Sequence, residues 1–180
     1  MIHLVRMLYS VTVGWIRTNG SVKKHILEVS TLKRICMPQD LDLFLHMNNA
    51  TYLKHCDIGR IYLWLENGVW NEVSKCGGSL TLGASNNRYR RSITLFTSFR
   101  IESKVIYWND TAFYVEQKFV RNKDNFVCMI SLMKQTLINS KPEDVVKKLH
   151  GPIRKPELLP ELESWIQSIV MSSERLRKNN

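Results

Sequence analysis

The chain has 180 residues, 44% of them hydrophobic and 23% charged. These values suit one globular domain with a core of its own, and they exclude collagenous, repetitive and compositionally disordered chains. Lys and Arg outnumber Asp and Glu by 26 to 16, a net charge of +10. That excess suits an anionic partner without choosing among nucleic acid, an acidic membrane surface and a phosphorylated small molecule.

The N-terminal segment, residues 1–24, contains a mildly apolar run, Met7 to Ile16 (MLYSVTVGWI), between Arg6 and Arg17. A run of this length is too short to span a bilayer. No small-x-small cleavage site follows it. It reads as an interfacial or shortened anchor, as a weak signal-like core, or as a locally packed terminus.

His25 to Met37 carries Ile26, Val29, Leu32 and Ile35 among polar residues and ends at Pro38, which predicts a first strand. Pro38 to Asn49 is loop-like. From Asn49 to about Val69, Tyr52, Leu53, Cys56, Ile61, Trp64 and Leu65 recur at intervals of three and four, which predicts a helix with a wide apolar face. Asn48 or Asn49 can cap it. Cys76-Gly77-Gly78-Ser79 then breaks the chain.

Strand signals follow. Leu80 to Leu95 is long, with a bend expected near Arg90. Phe99 to Trp108 alternates, with Phe99, Ile101, Val105 and Tyr107 on one side. Thr111 to Val120 alternates again after the turn pair Asn109-Asp110, so the two read as a hairpin. Phe126 to Ile138 is nearly continuously apolar, as a central strand covered on both faces would be. Ser140 with Glu143 resembles a capping box opening a short helix, and Glu161 to about Arg177 reads as a second one. A single long helix followed by an antiparallel run predicts an α+β domain over 25–139, its sheet wrapped around that helix, with a C-terminal helical extension over 140–180.

The four cysteines, Cys36, Cys56, Cys76 and Cys128, form no C-x-x-C pair, and no His stands at zinc-ligand spacing from two of them. This argues against a disulfide framework and a structural metal. Scattered thiols favour an intracellular setting. The endoplasmic reticulum or another membrane remains open, as does secretion.

The densest chemistry lies in Asp42-Leu-Phe-Leu-His46-Met-Asn48-Asn49-Ala-Thr-Tyr52. A carboxylate and an imidazole precede a helix N-terminus, whose free N–H groups and positive dipole end favour a developing oxyanion. Asn86-Asn-Arg88-Tyr-Arg90-Arg91 is the densest basic spot. Arg88, Arg90 and Arg91 suit phosphate oxygens, and equally suit a solvated strand edge. Asp57 reads as structural, pairing with Lys54 or Arg60.

Asp-x-x-x-His-Met-Asn-Asn-x-x-Tyr-Leu resembles the opening of the helix in the 4-hydroxybenzoyl-CoA thioesterase branch of the hotdog acyl-CoA thioesterases. The resemblance runs from about Met37 to the C-terminal helix. It implies a hotdog fold, a homodimer with sites shared between subunits, and hydrolysis of a fatty acyl thioester without a cofactor. It makes Asp42 the catalytic carboxylate, acting as base or nucleophile, and Asn49 the residue whose N–H polarises the thioester carbonyl. His46, Asn48 and Tyr52 then line the site. Leu45 departs from the pattern, standing where many members have Gly or Gln. A non-catalytic acyl-CoA or lipid binder is the alternative. No nucleic-acid-binding signature is visible.

Overall fold

The structure, a computed structural model, describes residues 22–178 together with positions 5, 8, 11–14 and 16. The segment 1–24 and its apolar run therefore lie partly outside the described residues, and with them the anchor or signal expectation. Positions 11–14 are helical. Gly14 sits so close to the central helix that a Cβ there would stand 3.1 Å from Leu65 Cδ1. Among the described residues, no helix is long and apolar enough to cross a membrane.

The elements in chain order are β1 (Ser30–Ile35), a short 3-10 turn (Pro38–Asp40), α1 (Asn49–Glu66), α2 (Val69–Lys75), β2 (Ser79–Tyr89), β3 (Ser98–Trp108), β4 (Ala112–Arg121), β5 (Val127–Ile138), α3 (Pro142–His150) and α4 (Pro160–Arg177). The five strands form one sheet in the order β1-β3-β4-β5-β2. Every neighbouring pair is antiparallel.

Alternation along the strands builds the core. Phe99, Ile101 and Val105 of β3, Phe113, Val115 and Phe119 of β4, and Met129 and Met133 of β5 are buried on one face. They pack with Tyr52, Cys56, Leu63 and Trp64 of α1 in a single cluster. The helix is buried on most of its circumference because the curved sheet wraps it. Contact is close at Gly59, where a Cβ would stand 2.8 Å from Gln117 Nε2. Gln117 donates to the Cys56 carbonyl at 3.1 Å and to Ser103 Oγ at 2.9 Å. Arg60, itself buried, donates to Gln117 Oε1 at 3.2 Å and pairs with Asp57. Asp57 thus has the ion-pair partner that three-residue spacing predicts.

The opposite face is covered by the C-terminal helix. Leu162 of α4 is fully buried in a cluster with Ala112 and Tyr114. The first turns of α4, through Leu162, Trp165 and Ile166, are therefore packed onto the sheet.

Several boundaries differ from the periodic reading. The first strand begins at Ser30, because His25 to Glu28 closes a turn with Glu28 N–H donating to the His25 carbonyl at 2.9 Å. The helix expected over 49–69 stops at Glu66. Gly68 adopts φ 81°, and Asn67 Oδ1 accepts the Val69 N–H at 3.1 Å, so α2 starts afresh. β2 ends at Tyr89 because the N–H groups of Arg90 and Arg91 both turn to the Cys128 carbonyl, at 2.8 and 3.1 Å. β5 is interior to the sheet, yet its second face is only half-buried. The Ser140 capping box does not form. Lys141 precedes Pro142 at the helix start, and Glu143 accepts from Trp108 Nε1 at 2.7 Å instead.

Candidate active site

The loop before α1 is tied at both ends by Asp40. This residue is buried. Its carboxylate accepts the Met37 N–H at 2.9 Å, and its carbonyl accepts the Asn48 N–H at 2.8 Å. Between these ties the chain makes a tight turn. Asp42 N–H donates to the His46 carbonyl at 2.9 Å, and the Asp42 carbonyl accepts the Leu45 N–H at 3.1 Å. Asp42 Oδ1 accepts the Phe44 N–H at 2.9 Å. The turn sends Leu45 to φ 61°, a left-handed conformation that bulky residues rarely adopt. A glycine at that position would hold it without strain.

The turn is held against the segment after β2. His46 bridges Thr94, and Met47 N–H donates to the Ile93 carbonyl at 2.7 Å. Ile93 N–H in turn donates to the Tyr52 hydroxyl at 3.2 Å. Burial raises the Tyr52 pKa, so that hydroxyl stays neutral.

Asn48 caps α1. Its Oδ1 accepts the Ala50 N–H at 2.8 Å, and its carbonyl accepts those of Thr51 and Tyr52 at 2.9 and 3.3 Å. Asn49 is the first helical residue. Its N–H is the one first-turn donor with no protein acceptor among the described residues.

These pieces border one cavity of about 260 Å³, lined by Asp42, His46, Met47, Asn49, Tyr52, Tyr89, Arg90, Arg91 and Ser92. Asp42 and His46 come to it from the loop before α1 and the two arginines from the end of β2. The Arg90 and Arg91 guanidinium groups lie over the Phe126 ring, 4.9 and 3.9 Å from its centroid. Arg91 is also 3.6 Å from Asp124. The Asp124 carboxyl is held well below the usual range, chiefly by its hydrogen bond from Arg121.

Of the residues singled out in the sequence, the fold thus gathers Asp42, His46, Asn49, Tyr52, Arg90 and Arg91. It does not bring Asn48 to the cavity, because that side chain is turned back onto the helix end. Nor does it bring Arg88. Successive residues of a strand face opposite sides of the sheet. Arg88 borders a different cavity, of about 320 Å³, with Glu116, Ile130 and Glu161 on the outer face. Sequence reasoning missed Met47, Tyr89 and Ser92 in the cavity wall. It also missed the buried contact of His55 Nε2 with Asp40 Oδ2, 3.8 Å. Tyr89 was reachable from strand period, since it faces away from Arg88; the others depend on long-range packing.

An antiparallel sheet closed around one buried helix, with its polar cavity at the helix mouth, is the hotdog arrangement of thioesterases. The chain belongs to the thioesterase-like superfamily, whose sequence model matches residues 36–166. Hydrolysis of a thioester is the chemistry that goes with that membership. The chain is similar to protein THEM6 of Drosophila melanogaster, with 33% identity over 178 residues, 98% of this chain and 91% of that one. Among solved structures it is similar to the probable thioesterase YbaW of Escherichia coli, with a TM-score of 0.59 and 18% identity over 67% of this chain and 96% of that one. It is also similar to SAV2348 of Staphylococcus aureus, solved in complex with CoA. There the TM-score is 0.55 and identity 12%, over 82% of this chain and 87% of that one.

Proposed function

We propose that the chain hydrolyses a fatty acyl thioester of coenzyme A, with Asp42 as the carboxylate that drives attack and the Asn49 N–H as an oxyanion donor. One observation carries the reading: the Asp42 side chain and the start of α1 border the same cavity. The thioester carbonyl would accept from the Asn49 N–H, at the positive end of a helix dipole. Asp42 either removes a proton from attacking water or attacks the carbonyl itself, in which case the anhydride left when the thiol departs is hydrolysed by water to free the acid and the carboxylate. The C–S bond then breaks and the thiol leaves as a thiolate, whose acid has a pKa of about 8.5, so little proton donation is needed.

Arg90 and Arg91 are the side chains suited to the phosphates of the thiol carrier. The CoA bound to the S. aureus neighbour supports that carrier. For the acyl chain we assign a second cavity of about 290 Å³, further along α1, lined by Ile61, Trp64, Trp70, Leu80 and Leu82 together with the polar Asp57, Arg60 and Gln135. Both cavities lie between α1 and β2.

A homodimer fits the same region. β2 is an edge strand of 11 residues with most side chains exposed. A long bare edge is a template for another strand. Pairing with β2 of a second copy would cover it and close both cavities, and light scattering in solution tests this.

The test of function is a panel of acyl-CoA esters of graded chain length, assayed for release of free CoA with wild type and with Asp42→Ala. Turnover by wild type that falls by about 100-fold or more in the variant, with CD and melting unchanged, is the expected result. Saturable binding without turnover by wild type would leave a non-catalytic acyl-CoA binder.

A further inference from the structure

Beside the cavity mouth lies an apolar surface that the fold leaves bare. Leu43, Phe44 and Leu45 form the tip of the turn before α1, and they are 98%, 78% and 70% exposed. Phe96, in the turn before β3, is 66% exposed. Ile35 and Met37 are exposed on either side of Cys36. The chain ties these residues together. His46 bridges Thr94, Phe96 N–H donates to the Cys36 carbonyl at 2.8 Å, and Cys36 N–H donates to the Thr97 carbonyl at 3.0 Å.

Ordinary turn chemistry would not put large apolar residues here. Leu45 has φ 61° and Phe96 φ 57°, positions where Gly or Asn sits with less strain. Strained conformations persist where the surroundings hold them, and they concentrate at functional sites. Two neighbouring turns thus each hold an apolar side chain outward at a conformational cost. Exposed apolar side chains gathered on neighbouring, backbone-linked turns mark an interaction site.

The surroundings indicate what covers it. Lys33 is exposed on β1 two residues before Ile35, and Arg90 and Arg91 are exposed at the cavity. The chain carries +10 overall. An apolar tip flanked by cations is the composition that enters an anionic lipid surface. A second copy paired at the β2 edge would leave the β1 end of the patch uncovered. Ile35 lies on β1, four strand spacings from β2, roughly 19 Å at about 4.8 Å per strand.

We propose that Leu43, Phe44, Leu45 and Phe96, with Ile35 and Met37, form an interfacial lip that docks the cavity mouth onto a membrane surface bearing anionic head groups. The lip enters the head-group boundary, and the cavity opens beside it. An amphiphile with its chain in the bilayer and its charged head at the surface would then pass to the cavity without crossing bulk water. The inference rests on exposure and placement and does not depend on turnover, so it can fail or stand separately from hydrolysis.

The test uses the full chain and phosphatidylcholine vesicles containing phosphatidylserine. Wild type is expected to float with the vesicles, and Leu43→Ser/Phe44→Ser to lose at least about tenfold in partitioning while keeping its CD spectrum and melting temperature. A second measurement locates the contact. An environment-sensitive fluorophore on Phe44→Cys, in a Cys76→Ser background, is expected to shift to shorter wavelength on adding vesicles and to be quenched by nitroxide-labelled lipid. Wild type that stays out of the floated fraction overturns the proposal. So does flotation with the label at position 44 still in water, which would place the membrane contact elsewhere in the chain. Equal flotation of wild type and the double variant overturns it as well.

Discussion

His46 Nδ1 lies 4.0 Å from Asp42 Oδ1, four residues away in the chain and bordering the same cavity. The distance is beyond hydrogen-bond reach, so the imidazole does not orient the carboxylate. Asp42 is oriented by the Phe44 N–H. His46→Ala is accordingly expected to lower kcat far less than Asp42→Ala, about tenfold against about 100-fold or more. Steady-state release of CoA by the two variants measured in parallel checks the order. Equal losses would make the pair a unit.

Asn49 contributes through its backbone rather than its side chain. Asn49→Ala keeps the N–H and should keep activity within a few-fold. Asn49→Pro removes the N–H at the first helical position, where proline is well tolerated. The preceding Asn48, at φ −61° and ψ 140°, already has the extended conformation that proline requires of its neighbour. The expected outcome is a kcat about 100- to 1,000-fold lower at nearly unchanged stability. Kinetics and thermal melts on the pair of variants decide this, and retained activity in the proline variant would remove the oxyanion role.

Gly59 is a packing residue. A Cβ there would stand 2.8 Å from Gln117 Nε2, 3.1 Å from Ile101 Cγ2 and 3.1 Å from Ser103 Oγ. Gln117 cannot retreat without giving up its bonds to Cys56 and Ser103. Gly59→Ala gains helix propensity yet should destabilise by about 1–3 kcal/mol, because overpacking outweighs propensity. Urea unfolding gives the sign; a stabilised variant would show that the helix can shift.

The buried thiols predict a loss of stability in alkali. Burial pushes the Cys56 thiol up to about 12; burial, with the Asp40 charge beside it, pushes Cys36 up to about 11. Both start from an ordinary 9.0. The fold holds them neutral while the unfolded chain can ionise them. Their contribution is therefore complete below about pH 9 and lost as pH rises from there through the folded values. The urea midpoint should fall between pH 8 and pH 10, and fall less in Cys36→Ala/Cys56→Ala. In native protein at pH 8, alkylation should reach the exposed Cys76 before Cys36, Cys56 or Cys128.

Much of the architecture was legible in local pattern. The alternation of Phe99 to Trp108 and of Thr111 to Val120, the Asn109 turn and the apolar stripe of α1 are periods set by the geometry of single elements, so a linear reading recovers them. The motif from Asp42 to Tyr52 was legible for the same reason: its turn, cap and first helical turn are contiguous. The helical period carried the expected helix on to Val69, past Asn67-Gly68, where the helix breaks.

The tertiary structure alone decided what meets across the chain. Strand order put β2 on the edge and β1 at the far side. The end of β2 brought Arg90 and Arg91 to the cavity that Asp42 borders and left Arg88 on the outer face. Packing set Gln117 against Gly59, Asp40 against His55, and Thr94 against His46. Such contacts depend on register and on the closing of long loops, which no neighbouring residues encode. The sequence by itself therefore determined the local devices of this protein, and only the wrapped sheet assembled them into a cavity with an apolar lip.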